Sequence, residues 1–383
     1  MAPWDVPLAD IVVPEEDIAV VADVYRSGWL SMGPRTEELE ARLARFTGSR
    51  HALAVANCTV GLHLMCVVAG FGPGDEVIVP SLTFVASVNA IRYTGATPVF
   101  AEIKGLDAPW LSAEAAEAAI TDRTKAIMTV AYGGNPGAAA ELEALARRRG
   151  LVLLEDAAHA VGTRLDGRHS GTFGSSGGFS FFSNKNLAVG EGGAVVTDDD
   201  DMAARMRLLR SHGMTSLSWD RHRGHASRYD VVELGFNYRI DEPRAALVTR
   251  RLERLDAENA RRDRLVGRYH AELAAVPGVE CALPATEPGA VLAHHLFVAV
   301  LDEGLDRDAF RDVLHERRIQ TSLHYPPVHR FSIYGDGATD LPLTDAYSER
   351  AVTLPLFAHM TDDQLDAVLE AVAAAIADSR VLL

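Results

Sequence analysis

Residues 151–160 read LVLLEDAAHA: four apolar positions, one of them β-branched, run straight into Glu155 and Asp156, and His159 follows three residues later. A short apolar run that ends abruptly in carboxylates is the pattern of a strand buried on both faces, with its carboxyl end at a rim where polar groups can face a ligand. Working outward, the same kind of run recurs at ALAVAN, EVIVP, TPVFAEI, KAIMTVAY, FSFF and AVVTD, with helical stretches such as AAELEALARRRG between some of them. Strands spaced by helices predict an α/β fold, a mostly parallel mixed sheet covered by helices, with ligands at the carboxyl ends of its strands. Residues 14–47 carry two amphipathic helix patterns separated by the turn-like GWLSMGP. After GFNYRIDEP, an arginine-rich helical segment reads as one connecting helix into a smaller C-terminal α+β domain. The expected division is 1–250 for the large domain, with the N-terminal helices and the ligand-facing rim, and 251–383 for the connecting helix and small domain.

Composition narrows the partners. The 383 residues carry 37 basic and 53 acidic side chains, a net charge of −16, with a sequence pI near 5.3. That balance disfavours nucleic acid and anionic membrane surfaces as partners, so any bound anion must be caught by local geometry. The arginine run is interleaved with Glu and Asp and reads as a solvated helix face. Cys58, Cys66 and Cys281 are widely spaced and form no C-x-x-C pair, so neither a disulfide framework nor a zinc site is expected. With no basic-then-apolar start and no long apolar run, the expected location is the cytoplasm.

The residues that could carry chemistry are individually ordinary. Asp156 at a strand end could be a helix cap; it could also hold a pyridine nitrogen protonated and so turn the ring into an electron sink. Lys185, in SFFSNKNLAVGEGG (180–193), could be a solvated cation; a lysine in an enclosed site is also a nucleophile towards carbonyls and a proton carrier. Ser180 and the GEGG run surround it with small groups. ANCTVGLHLM reads as a strand, a turn at Asn57, Cys58 and Thr59, then a helix whose N-terminus suits a phosphate. Phe84, after EVIVPSLT, could pack in a core or cover a flat ring.

Taken in order, these stretches resemble the DegT family of pyridoxal-phosphate-dependent sugar aminotransferases, of the aspartate aminotransferase fold type I. The likeness runs from GWLSMGP to LPLFAHMTDDQLDAVLEAV and includes GDEVIVPSLTFVASVNAI, LEDAAHA, FSFFSNKNLAVGEGGAVVT and GFNYRIDEPRAAL. The resemblance implies that Lys185 holds pyridoxal 5′-phosphate as a Schiff base and that Asp156 pairs with the pyridine nitrogen. It places His159 by the phenolic oxygen, Phe84 on the ring, and Thr59 and Ser180 on the phosphate. Asn237 would reach in from a second subunit, which makes a homodimer with shared sites. His324, Tyr325 and His329 of HYPPVH match a stretch near the substrate mouth, where structural roles are an equal alternative. The implied reaction moves an amino group from an amino acid, glutamate or glutamine, to a keto group of a nucleotide-linked deoxysugar. A keto-cyclitol acceptor and a non-aminating dehydratase are the alternatives, although relatives of the second kind carry His where this chain keeps Lys185.

Two positions depart from the family pattern. Cys58 stands where Gly is usual and cannot take a positive φ cheaply; His159 stands where many relatives carry Gln, leaving its tautomer open. Other function classes find less support. No G-x-G-x-x-G follows a strand, which disfavours a nicotinamide enzyme. A purely binding role would tolerate loss of Lys185 or Asp156, and both are present. His222 and His225 have metal-like spacing but no third ligand nearby.

Overall fold

The structure, a computed structural model, describes residues 4–216, 228–335 and 339–379. Helices α1 (Glu15–Ser27) and α2 (Pro34–Thr47) lead into strand β1 (His51–Val55), helix α3 (Cys58–Val68), β2 (Glu76–Pro80), helix α4 (Val85–Tyr93) and β3 (Thr97–Ala101). There follow β4 (Thr124–Val130), β5 (Val152–Asp156), the two-residue strands β6 (Arg164–Leu165) and β7 (Arg168–His169), β8 (Ser176–Ser180) and β9 (Gly193–Thr197).

All seven strand runs expected from the sequence join one sheet, in the order β1-β9-β8-β5-β4-β2-β3. The pairs within β8-β5-β4-β2-β3 are parallel, while β9 runs antiparallel to both β8 and β1. Six strands therefore share one direction, and their carboxyl ends form a single rim. The start of β9, which points the other way, lies on that same rim. The residues after β1, β2 and β8 and the last residue of β5 are thus brought together by topology alone.

The arginine-rich segment is two helices, Glu242–Leu252 and Leu255–Leu273, rather than one. Asp17 of α1, wholly enclosed, takes Arg251 and Arg254 at 2.7 Å each, so the chain turns to bring both guanidinium groups onto one carboxylate. Arg251 and Arg262 are buried, so this face is only partly the solvated one expected. Beyond it, β10 (Val279–Cys281), the short β11 (Ala290–Val291), β12 (Phe297–Leu301) and β13 (Ala351–Leu354) follow. Strands β10, β12 and β13 form an antiparallel sheet, and β11 pairs with β6. The small sheet packs on helices Leu255–Leu273, Arg307–Glu316 and Asp362–Ser379 around Tyr269, Phe297, Phe310 and Leu314. Val6 belongs to this same core and bridges to Ile319, so the start of the chain crosses onto the C-terminal unit.

Among the described residues, no helix is long and apolar enough to cross a membrane, and no group of three or more His, Cys, Asp or Glu could hold a metal. His222 and His225 lie outside the described residues.

Candidate active site

A cavity of about 800 Å³ opens at the rim. Its walls include Cys58, Thr59, Phe84, Asp156, His159, Ser180, Lys185, His324 and Tyr325, nine of the eleven residues singled out in the sequence. The other two lie elsewhere. His329 is buried outside the cavity, with Nδ1 2.6 Å from Ser81 Oγ and Nε2 3.3 Å from the Asp345 carboxylate. It ties a C-terminal loop to the end of β2, the structural role that was the alternative for it. Asn237 is exposed and paired through its backbone with Ser211. Residues 28–34 do not line the cavity either.

The wall after β1 is the tip of α3. Asn57 caps the helix, its side chain accepting from Val60 N at 3.1 Å. Helix geometry leaves the preceding amides, those of Cys58 and Thr59, without carbonyls of their own helix. Cys58 is helical, not left-handed, so the missing glycine imposes no strain on this turn. The close approach is made from the other side: a Cβ at Gly193 would sit 2.6 Å from Cys58 N, so only glycine at the start of β9 lets the turn come so near.

On the floor, alternation along β5 sends its two terminal carboxylates to opposite faces. Glu155 turns away and accepts from Gly171 N and Gly174 N at 2.8 and 2.7 Å; burial raises it to about 7. Asp156 faces the cavity. Its Oδ2 accepts from Ser87 Oγ at 2.6 Å and its Oδ1 from Ala158 N at 3.1 Å. Burial raises the Asp156 carboxyl, against the pull of Ser87, Ala158 and Lys185. A buried carboxylate in that condition is matched to a cation placed over it.

His159 has its tautomer set by its neighbours. Gly133 N can only donate, and it lies 3.2 Å from Nδ1; the proton is therefore on Nε2, which donates to Tyr325 Oη at 3.1 Å. Burial and the nearby Lys185 push the imidazole well below its ordinary pKa, so it is neutral. Tyr132 donates to the His324 carbonyl and His324 Nδ1 sits 2.9 Å from Thr353 Oγ1, which pins the 324–325 segment against the rim. Phe84, at the start of α4, is 55% exposed, with its ring centroid 5.8 Å from that of Tyr325.

Lys185 lies in the turn between β8 and β9, its amide donating to Phe182 O at 2.9 Å. Ser180, at the end of β8, accepts from Phe182 N. Enclosure lowers the Lys185 amine to about 8, with Asp156 opposing the shift. Lys185 Nζ comes within 3.5 Å of His295 Nε2. Sequence reasoning missed His295, because AHHLFVAV reads as the lead into a strand, and Ser87, whose only signal is its place one helical turn beyond Phe84.

These groups fit pyridoxal phosphate. A helix tip with a hydroxyl at Thr59 suits the phosphate, the buried and destabilised Asp156 suits a protonated ring nitrogen, and an amine of lowered basicity suits the aldehyde.

Comparison with known proteins gives the same answer. The sequence profile of the DegT/DnrJ/EryC1/StrS aminotransferase family matches residues 12–373. DesV of S. venezuelae is 38% identical, with 94% of each chain covered and a TM-score of 0.86. The aminotransferase TlmJ of Streptoalloteichus hindustanus is 33% identical over 97% of this chain and 99% of that one, TM-score 0.91. DesI, solved in the presence of its TDP-sugar product, is 33% identical over 100% of this chain and 96% of its own, TM-score 0.88. Similar structures include both PLP and PMP forms of one enzyme. The chain belongs to the DegT/DnrJ/EryC1/StrS aminotransferase family and is a pyridoxal-phosphate-dependent aminotransferase.

Proposed function

We propose that the protein transfers an amino group from glutamate or glutamine to a keto group of a nucleotide-linked deoxysugar, as a homodimer with shared sites. The convergence of Lys185, Asp156 and the α3 tip in one cavity carries the reaction type. The likeness to DesI, crystallised with a TDP-sugar, supports the acceptor class.

Pyridoxal phosphate, when bound, supplies an aldehyde for amines and a ring that withdraws electrons from the donor's α-carbon. Thr59, Ser180 and the amides at the α3 tip would take its phosphate, and Asp156 its ring nitrogen. Lys185 would hold it covalently, and its Nζ, when free, would accept the proton lost from the donor's α-carbon. His159 presents Nε2–H and Tyr325 Oη as a hydrogen-bonded pair at the cavity wall.

Asn237 supports a shared site by its position: it is exposed, and outside the cavity of its own subunit. Leu234, three residues before it, is 90% exposed, and Val231 and Val232 are exposed as well, an apolar strip suited to burial against a second copy. Three unpaired cysteines fit the reducing cytoplasm.

Enzyme in its pyridoxamine form, offered a panel of nucleotide keto-sugars and keto-cyclitols, tests the acceptor. A nucleotide keto-deoxysugar should restore the aldehyde-form spectrum; restoration by keto-cyclitols alone would reassign the substrate.

A further inference from the structure

Behind the lysine lies a chain of side chains that begins and ends at backbone carbonyls. Asn186 Nδ2 donates to Ala293 O at 2.7 Å and to Asn259 Oδ1 at 2.9 Å. Asn259 Nδ2 donates in turn to Val161 O at 3.1 Å. A carbonyl accepts only, so the orientation of both amides is fixed without reference to His295. Asn186 Oδ1 is left facing His295 Nδ1 at 3.1 Å, and an amide oxygen cannot donate. The proton of His295 is therefore on Nδ1. Its Nε2 carries a lone pair, 3.5 Å from Lys185 Nζ, at the long limit of a hydrogen bond.

The groups facing His295 keep it that way. They are Lys185, Arg262, His324 and His159, the last with its ring centroid 4.4 Å away, and none is a carboxylate. Arg262 is buried, with Nε and Nη1 lacking partners. An imidazolium at 295 would meet two cations in an enclosed space. Burial first, then Lys185, hold the ring well below its ordinary pKa, so it stays neutral.

The geometry points to His295 as a positioning residue for Lys185: a neutral acceptor of fixed tautomer that holds the amine at a defined place whenever the lysine is not bonded to the cofactor. This rests on Lys185 being the amine that the reaction uses. An acceptor binds an ammonium more strongly than an amine, so His295 also favours the protonated lysine. Its removal should make Lys185 less basic and less well placed.

The test uses the full-length protein stripped of cofactor and reloaded with pyridoxal phosphate at a series of pH values. The midpoint of the loading rate reports the Lys185 amine. In His295→Phe the midpoint should fall by about one pH unit, and the rate of the donor half-reaction should drop with little change in KM. His295→Gln, whose Oε1 can stand in for Nε2, should recover most of both. A midpoint in His295→Phe equal to that of the native protein overturns the proposal, as do equal shifts in the two variants. Should the Phe variant fail to fold, nitrogen NMR of the native protein decides: a proton on Nδ1 and none on Nε2 from about pH 6 to 9 is expected, and a protonated Nε2 overturns it. Failure of loading at every pH in the native protein would instead count against the role of Lys185.

Discussion

With its amine lowered to about 8 by enclosure, Lys185 is largely an ammonium at pH 6 and largely a free amine at pH 9. Only the free amine attacks an aldehyde, and the lowered pKa moves that form into the physiological range. Loading of the cofactor-free protein should therefore accelerate with rising pH and level off above about 8; two units below the midpoint it should be about 100-fold slower. A loading rate that does not change across that range would mean that the amine is not the titrating group. Lys185 and Asp156 could be singled out in the sequence because each sits in a run whose other residues are unusual: a glycine cluster for one, an abrupt end to an apolar strand for the other. His295 and Ser87 could not, because a hydrogen bond between residues 110 or 69 positions apart leaves no trace in local spacing. His329 stood out by belonging to HYPPVH, yet its partners, Ser81 and Asp345, belong to the packing of one segment on another.

At the scale of elements, the apolar strands were legible because their burial on both faces leaves β-branched runs. β8 was legible only from its second half, since SGGFS carries two glycines, Gly177 and Gly178, after its first residue. A Cβ at Gly177 would sit 2.3 Å from Gly171 O, so the backbone of the loop ahead of β8 is what excludes a strand-forming side chain at that position. The break between the helices Glu242–Leu252 and Leu255–Leu273 was illegible for a similar reason, being set by Asp17 more than 230 residues away. GWLSMGP reads as a turn, but what fixes it is Glu242. That buried carboxylate accepts from Gly33 N at 2.8 Å, Arg35 N at 2.7 Å, Thr36 N at 2.9 Å and Thr36 Oγ1 at 2.7 Å, so it caps α2 from another helix. Glu242→Ala would orphan these donors together. The expected loss is about 3 kcal/mol of stability, seen as a lower midpoint in urea unfolding; a loss under about 0.5 kcal/mol, the range of ordinary surface changes, would show that the cap is idle.

The whole molecule poses a question of completeness, since the cavity of one chain assembles nine of the expected site residues and leaves Asn237 outside. The proposed homodimer answers it by letting each subunit lend Asn237 to the other, and that arrangement has a consequence that no self-contained site shares. Lys185→Ala removes the amine from a subunit's own site; Asn237→Ala weakens the site of its partner. In a hybrid of the two variants, one site has lost both groups and the other has kept both. When equal amounts are unfolded and refolded together, half of the dimers are hybrids, so activity should recover to about a quarter of the native value. If each site drew only on its own chain, the hybrid would contain no intact site, and mixing would give no more than the average of the two variants. The same mixture separates the shared site from a merely structural dimer, because a structural contact at Asn237 would be damaged in hybrids and not restored.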